Sequence, residues 1–480
     1  MDPTGAEGTS PSSEAPRSET RDVETLILGA GPGGLACAYR LVKDNARPVV
    51  VERGAKPGGL MRNIERGDFS VDLGRKELYS RIIEVHDLWT DLLGDDYVPY
   101  DHREGILYDG HVLETSSRWR GKLRGMPPML AVKCLCDMLW TKLRLMFRSK
   151  QNYEEYWHAQ RGSLLSRILS QGYEEKFNGV LWVDVPVPDE SGGSGSTGPE
   201  TKPSPGTQGP KKPDIWRHPA LGSGQIPAVL AERVEAAGGE LALSTNVTAL
   251  EVADGRVTAV RTQAEGKEVI YRPKWVVSSL PPHVLAGYLD VSVPAPATPA
   301  PSHPRRGVVL VYVFGKQPPL FPHAWLRVTC PKLRCGRIVN YAAFGGRMVP
   351  TGQTALCVEF FCAGDDPLIK ADDEERLALA LEELSSAGLF EPSTLIDSLV
   401  LTLPHADAAT SWRDWRSPLR TKLTETVGAL GNLIDIQRPG TDKATAAGLL
   451  AADAILRDDD EHFDREAARI GGALEQRQQY

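Results

Sequence analysis

"VETLILGAGPGGLACAYRLV" spans residues 23–42, and its reading decides the fold. An apolar run ends at Leu28. Gly29, Gly31 and Gly34 then follow at G-x-G-x-x-G spacing, ahead of small and apolar residues at helical intervals. That order predicts a buried strand, a tight turn and a helix. "RPVVVERG" (47–54) adds a second apolar strand that ends at Glu52. Strand, glycine turn, helix, strand and terminal acid make the βαβ unit that binds dinucleotides. Gly29, Gly31, Pro32, Gly33 and Gly34 are the expected pyrophosphate turn, since a helix N-terminus with bare backbone attracts phosphate. Glu52, with Arg53 beside it, is the expected ribose end.

A second glycine-bearing turn lies far away. "QRPGTDKATAAG" (437–448) sets Arg438 before a Pro–Gly turn and opens a helix of small residues. The preceding "GNLIDI" is strand-like. The helix start is tight and made of small residues, and the two glycine-rich ends look made to meet around one ligand.

Between them the chain alternates in character. "GELALSTNVTALEVADGRVTAVRTQ" reads as strands around a hairpin turn at Asp254–Gly255, and "KWVVSSLPP" as a buried strand. "GVVLVYVF", "AWLRVTC", "GRIVNYAAF" and "ALCVEFFC" predict an antiparallel sheet, with Tyr341 on one of its strands. "ADDEERLALALEELSSAG" predicts an amphipathic helix with an acidic first turn. Residues 191–213 and 293–304 are rich in Gly, Ser and Pro and read as a flexible excursion and a stiffer connector.

Bulk properties limit the function classes. The chain has 480 residues, 41% hydrophobic and 25% charged, which suits a globular protein of more than one core. A net charge of −8 without a basic tail makes nucleic acid a poor partner. Seven cysteines and no secretory leader predict reduced thiols and a cytoplasmic location. No His joins the Cys330/Cys335 or Cys357/Cys362 pairs at zinc spacing, so no metal is expected. No apolar run of about 18 residues predicts a membrane-spanning helix. Residues 118–150 are basic, with apolar residues interleaved at helical spacing. Three readings stand for them: a roof of helices over a substrate cleft, which is favoured, a membrane-surface face, or a basic lip for an anionic substrate.

Five stretches together resemble the FAD-dependent amine-oxidase-like superfamily, in the branch of protoporphyrinogen oxidase-like proteins and UDP-galactopyranose mutase. They are "GAGPGGLACAYRL" with Glu52, "PGGLMRN" (57–63), "FSVDLGRKELYSR" (69–81), "YEEKFNG" (173–179) and "RPGTDKATAAG". The resemblance runs from about Glu24 to Leu456. It implies an α/β protein with a Rossmann-type, glutathione-reductase-like FAD-binding domain and an interleaved α+β substrate domain containing an antiparallel sheet. The expected division is a disordered tail at 1–21 and FAD-binding parts at 22–114, 214–290 and 411–460. Substrate-domain parts are expected at 115–190 and 291–410, a linker at 191–213 and a tail at 461–480.

By the same resemblance the cofactor is FAD, held without a covalent bond. Gly59 and Leu60 approach its phosphates, and Val247 meets adenine through its backbone. Arg438, Gly440, Thr441 and Gly448 lie at or near the flavin ring. Lys76, Tyr341 and Arg438 are the catalytic candidates, with Lys76 donating to flavin or holding an anionic substrate. The sequence departs from the pattern where the mutase holds its sugar nucleotide. Gly74-Arg75-Lys76 stands for Gly-Gly-His, Ala444-Thr445 for a tyrosine pair, and Asn178 for a tryptophan. The expected activity is oxidation of a small organic substrate by hydride transfer to flavin. Molecular oxygen or another acceptor would reoxidise it. The alternative is a flavin-dependent sugar-nucleotide mutase.

Overall fold

The computed structural model describes residues 19–80, 82–114, 126–146, 148–187, 215–291, 306–403, 418–438, 440–459 and 462–467. The expected tail before residue 19, the 191–213 excursion, the 293–304 connector, Arg81, residues 115–125, Pro439 and most of 461–480 lie outside the described residues.

Two seven-stranded sheets organise the chain. In the first, Glu19–Leu28 lies between Lys267–Ser278 and Val49–Val51, with Glu240–Ala242 beyond, all parallel. Leu433–Asp435 returns from the far end of the chain to pair in parallel with Val276–Ser278. Asn246–Ala253 and Arg256–Ala264 extend the sheet as an antiparallel meander. Asp254 and Gly255 both have positive φ, as a tight hairpin turn needs.

The apolar run before Gly29 is nearly continuous because both faces of this sheet are covered. Ile27 and Val50 point to one side, among Leu35, Leu41, Ile226 and Ala451. Leu26, Leu28, Val49 and Val51 point to the other, with Leu285, Leu423 and Val427. The period of two along a strand produces this division.

The second sheet runs Leu395–Leu403, Arg306–Gly315, Thr354–Ala363, Arg337–Asn340, Trp325–Val328, Glu104–Tyr108, His111–Glu114. Its pairs are antiparallel except Trp325–Val328 with Glu104–Tyr108. One face packs on the helix Asp373–Ser386 through Ala380 and Leu384. That helix begins at Asp372, whose side chain caps the Glu375 N–H. The other face, with Leu310, Tyr312 and Cys357, packs against Phe69, Val71 and Leu73.

Three expectations need correction. Residues 19–21, expected in the disordered tail, begin the strand Glu19–Leu28 and pair with Val269–Tyr271. Residues 104–114 belong to the second sheet, although the sequence division put them in the nucleotide-binding part; their pairing with Trp325–Val328 decides it. Tyr341 is not on a strand. It opens the 3-10 turn Tyr341–Phe344, capped by the Asn340 side chain.

The "YEEKFNG" stretch forms part of the helix Gly172–Asn178. Its Lys176 ammonium donates to the carbonyls of Val328, Cys330, Leu333 and Cys335 at 2.7–3.1 Å. Its three N–H groups are shared among the last carbonyl of the strand Trp325–Val328 and three carbonyls of the segment that follows.

The two glycine-rich ends meet. The helix Pro32–Lys43 packs on the helix Thr441–Arg457 through bare backbone. A Cβ at Gly33 would come 2.7 Å from the Ala444 carbonyl oxygen, and one at Gly448 would collide with the Gly33 carbonyl. Gly448→Ala is therefore expected to force the helices apart and to lower stability by about 3 kcal/mol. Chemical denaturation of wild type and variant measures this directly. Equal midpoints would contradict the close approach.

Candidate functional site

Ala30 is the hub of the nucleotide end. Its N–H donates to Glu52 Oε2 at 2.9 Å, and its carbonyl accepts from Gly58 N–H at 2.8 Å. Glu52 Oε1 accepts from Gly54 N–H at 2.7 Å. Each carboxylate oxygen thus keeps a lone pair free for a further donor, as a ribose diol requires. Gly29 has φ +103, and a Cβ there would collide with the Ser279 hydroxyl. Gly31 differs: a Cβ built on it meets no heavy atom within 4 Å. It is the N-cap of a helix whose first N–H groups no side chain caps, with Pro32 just inside. Open space, bare backbone and uncapped N–H groups fit a pyrophosphate.

A Cβ built on Gly59 would lie 3.5 Å from Gly31 Cα, and Leu60 beside it is 62% exposed. Arg53 is exposed next to Glu52. Val247 follows a segment tied to that acid, since Thr245 N–H donates to the Glu52 carbonyl at 2.8 Å. Its own carbonyl accepts from the Tyr288 hydroxyl at 2.6 Å.

At the other end, Gly440 takes φ +89 and Thr441 starts the closing helix, again with no side-chain cap. Arg438 folds back on its own turn and donates to the carbonyls of Asp435 and Gln437, both at 2.9 Å. Its guanidinium also lies 5.5 Å from the Phe463 ring centre. Arg438 therefore shapes the turn that presents the helix.

The stretch Asp72–Lys76 joins the two layers. Gly74, at φ +67, donates its N–H to the Tyr312 hydroxyl at 2.8 Å, and Arg75 N–H donates to Glu359 Oε1 at 2.7 Å. The hydroxyls of Tyr312 and Tyr341 both reach the Asp72 carbonyl, at 3.0 and 2.9 Å. Tyr341 is 1% exposed. Tyr341, one of the catalytic candidates, is a core residue: its ring is buried and its hydroxyl is spent on the turn. Lys76 donates to the Leu73 carbonyl at 2.6 Å. Crowding by protein lowers its pKa, while Asp72 and Glu359 oppose the shift.

Several charged residues escaped the sequence reading. Asp72 and His218 are fully buried, with Oδ2 and Nε2 2.9 Å apart. Burial alone would raise the Asp72 pKa, but the His218 ring and the Ser223 N–H, 2.6 Å from Oδ1, outweigh it and lower it. "RHPALGSGQ" (217–225) held the signal: a histidine ahead of a glycine-rich turn that opens a helix. Glu77 gathers a second cluster. It accepts from Trp325 Nε1 at 2.7 Å, His102 Nε2 at 2.9 Å and the Arg75 guanidinium. Arg75 stacks 3.9 Å over Trp325, and His102 stacks on Trp216 at 3.9 Å. Arg327 pairs with Glu104, and Arg337 with Glu359. Tyr79 lies against Trp216.

Comparison with known proteins agrees with the fold. Residues 27–80 match the family model of the NAD(P)-binding Rossmann-like domain. A stretch of 52 residues is 42% identical to the all-trans-zeta-carotene desaturase of Myxococcus xanthus, covering 10% of this chain and 10% of that protein. Among solved structures, reduced UDP-galactopyranose mutase aligns with a TM-score of 0.64 at 16% identity, over 92% of this chain and 97% of that one. A protein described as a protoporphyrinogen oxidase, from Exiguobacterium sp. 255-15, gives 0.62 at 15%, over 91% and 99%. Putrescine oxidase bound to putrescine gives 0.52 at 13%, over 91% and 100%.

Glu77 carries a pH signature. Burial would raise its pKa, but Arg75, His102 and Trp325 bring it down from 4.5 to about 2. A depressed carboxyl stabilises the fold above its unfolded pKa and loses that contribution as pH falls through the folded one. Wild type is expected to lose on the order of 3 kcal/mol between about pH 4.5 and 2 from this group. Glu77→Gln should flatten that part of the stability–pH curve. Denaturation at stepped pH measures it, and parallel curves would refute the assignment.

Proposed function

We propose that this chain, whose fold is that of the FAD-dependent amine-oxidase-like superfamily, binds FAD without a covalent bond and is an oxidoreductase acting on a small organic substrate. The observation that carries the reading is the closure of two uncapped, glycine-rich helix starts on each other. One has open space at Gly31 and a carboxylate with free lone pairs at Glu52. Gly29 to Gly34 would hold the pyrophosphate, Glu52 the adenosine ribose, and the start of Thr441–Arg457 the ring end. When bound, FAD would supply hydride acceptance, with molecular oxygen or another carrier as final acceptor.

The chain's own contribution is placement and field. A helix N-terminus carries roughly half a positive charge and favours negative charge near it. Arg438 keeps that terminus presented by holding the Asp435 and Gln437 carbonyls. Lys76, tied to Leu73, and Arg75, tied through its N–H to Glu359, fix the turn between the layers. In this reading Arg438 and Lys76 are positioning residues.

The mutase reading stays second. Ala444 and Thr445 replace the tyrosine pair of the resembling pattern. Thr445 is buried and donates to the Thr441 carbonyl at 2.7 Å, while the Ala444 backbone meets Gly33. This start of the helix is built for backbone contact.

Gly31→Val separates cofactor from fold, because its φ is ordinary and its Cβ meets nothing. The expected result is purified wild type with flavin absorbance that releases FAD on acid extraction. The variant should retain at least about tenfold less FAD, with the melting temperature of the stripped wild type. Recovery of the dithionite-reduced flavin on admitting air tests the oxidase route. A wild-type protein that takes up no FAD, or a variant that keeps a full load, would overturn the reading. Arg438→Ala should weaken FAD retention with the fold intact.

A further inference from the structure

The helix Pro128–Leu145 is apolar on both sides. Cys134, Thr141 and Leu145 are buried on its inner face, where Cys134 joins Ile106 and Leu113 of the second sheet and Ile168. The opposite face carries Met129, Val132, Leu139, Trp140, Leu143 and, just past the helix, Met146, all exposed; Leu139 and Trp140 are each 67% exposed. At 100° per residue these six fall within an arc of about 120°. They extend over roughly 25 Å of helix.

The charges of the helix border that stripe. Lys133 and Arg144 project along one edge and Lys142 along the other, and all three are exposed. The single acid, Asp137, turns away: it accepts from the Ser163 hydroxyl and the Leu164 N–H, both at 2.8 Å. The outer face is thus purely apolar and cationic on a chain whose net charge is −8. Arg148 is exposed just beyond it, and the sequence before it carries Arg118, Arg120, Lys122 and Arg124.

We propose that this face docks on an anionic lipid bilayer. The helix would lie in the interface plane, with the stripe among the acyl chains and the lysines and arginines at the headgroups. Among the described residues no helix is long and apolar enough to cross a membrane, so the helix lies on the bilayer. A second copy of this chain fits less well. Two such faces brought together would set cationic rims against each other, whereas acidic headgroups complement them. The proposal is independent of the cofactor reading.

The test is sedimentation of the full chain with vesicles of phosphatidylcholine alone or mixed with phosphatidylglycerol. Wild type should pellet with the mixed vesicles, much less with phosphatidylcholine alone, and less as salt screens the charges. Leu139→Glu/Trp140→Glu should cut the bound fraction at least about tenfold, with circular dichroism and melting unchanged. Lys133→Glu/Lys142→Glu/Arg144→Glu should do the same while keeping the apolar stripe. Failure of wild type to pellet, or variants that pellet like wild type, would overturn the proposal. A wild-type dimer that the first variant splits, with no vesicle binding, would assign the face to a second copy instead.

Discussion

Two helices touching through bare backbone fix the geometry of the nucleotide end. One follows the first strand and the other nearly ends the described chain, yet Gly33 and Gly448 leave no room for a side chain between them. Because the helices are this close, their N-terminal ends converge. The final strand Leu433–Asp435 completes the arrangement by entering the sheet beside Val276–Ser278, so the last helix starts, like the first, at the C-terminal end of the parallel strands. Neither helix end is capped by a side chain. Two sets of backbone N–H groups thus point into one region, which is an arrangement for an elongated anionic cofactor.

From that region the polypeptide crosses to the second sheet through Asp72–Lys76. Buried hydroxyls of Tyr312 and Tyr341 clamp its carbonyls and one N–H, and Glu359 takes the next N–H. Glu359 is itself paired with Arg337, a residue of the second sheet. The joint between layers is therefore hydrogen-bonded and ionic, and Gly74 is small where Glu359 comes close. Removing one member would strand a buried charge, which costs far more than the pair contributes.

Legibility followed how local each signal was. The βαβ unit could be read because strand, turn and helix lie within one stretch, and its glycines serve contacts that the spacing implies. That 29–34 and 437–448 serve one region could be anticipated from their glycine-rich turns, whereas the direct backbone contact of the two helices could not. Membership of Glu104–Glu114 in the second sheet could not, since the partner strand Trp325–Val328 is about two hundred residues away and any β-prone run would look the same. Tyr341 misled for a related reason. Its strand ends one residue earlier, where the Asn340 side chain captures the Ala342 N–H and turns the backbone. The pairing of His218 with Asp72 was invisible, because nothing near the histidine in sequence, its glycine-rich turn included, shows that Asp72 is its neighbour.

The charged cluster of the second layer limits what the site can be for. Arg75, Arg327, Arg337 and Lys76 stand among Glu77, Glu104, Glu359 and Asp72, and three of the arginines lie over the Trp325 ring. Four cations and four carboxylates close the cluster electrically. An anion entering it would face as many carboxylates as cations, so the field offers it little net gain. The cluster is better suited to holding Arg75 and the preceding turn rigid than to capturing charge, as buried ionic networks do when every member is paired. Excess positive charge is found instead along the exposed edges of Pro128–Leu145, on the outside of the same layer, where it borders an apolar stripe rather than a carboxylate.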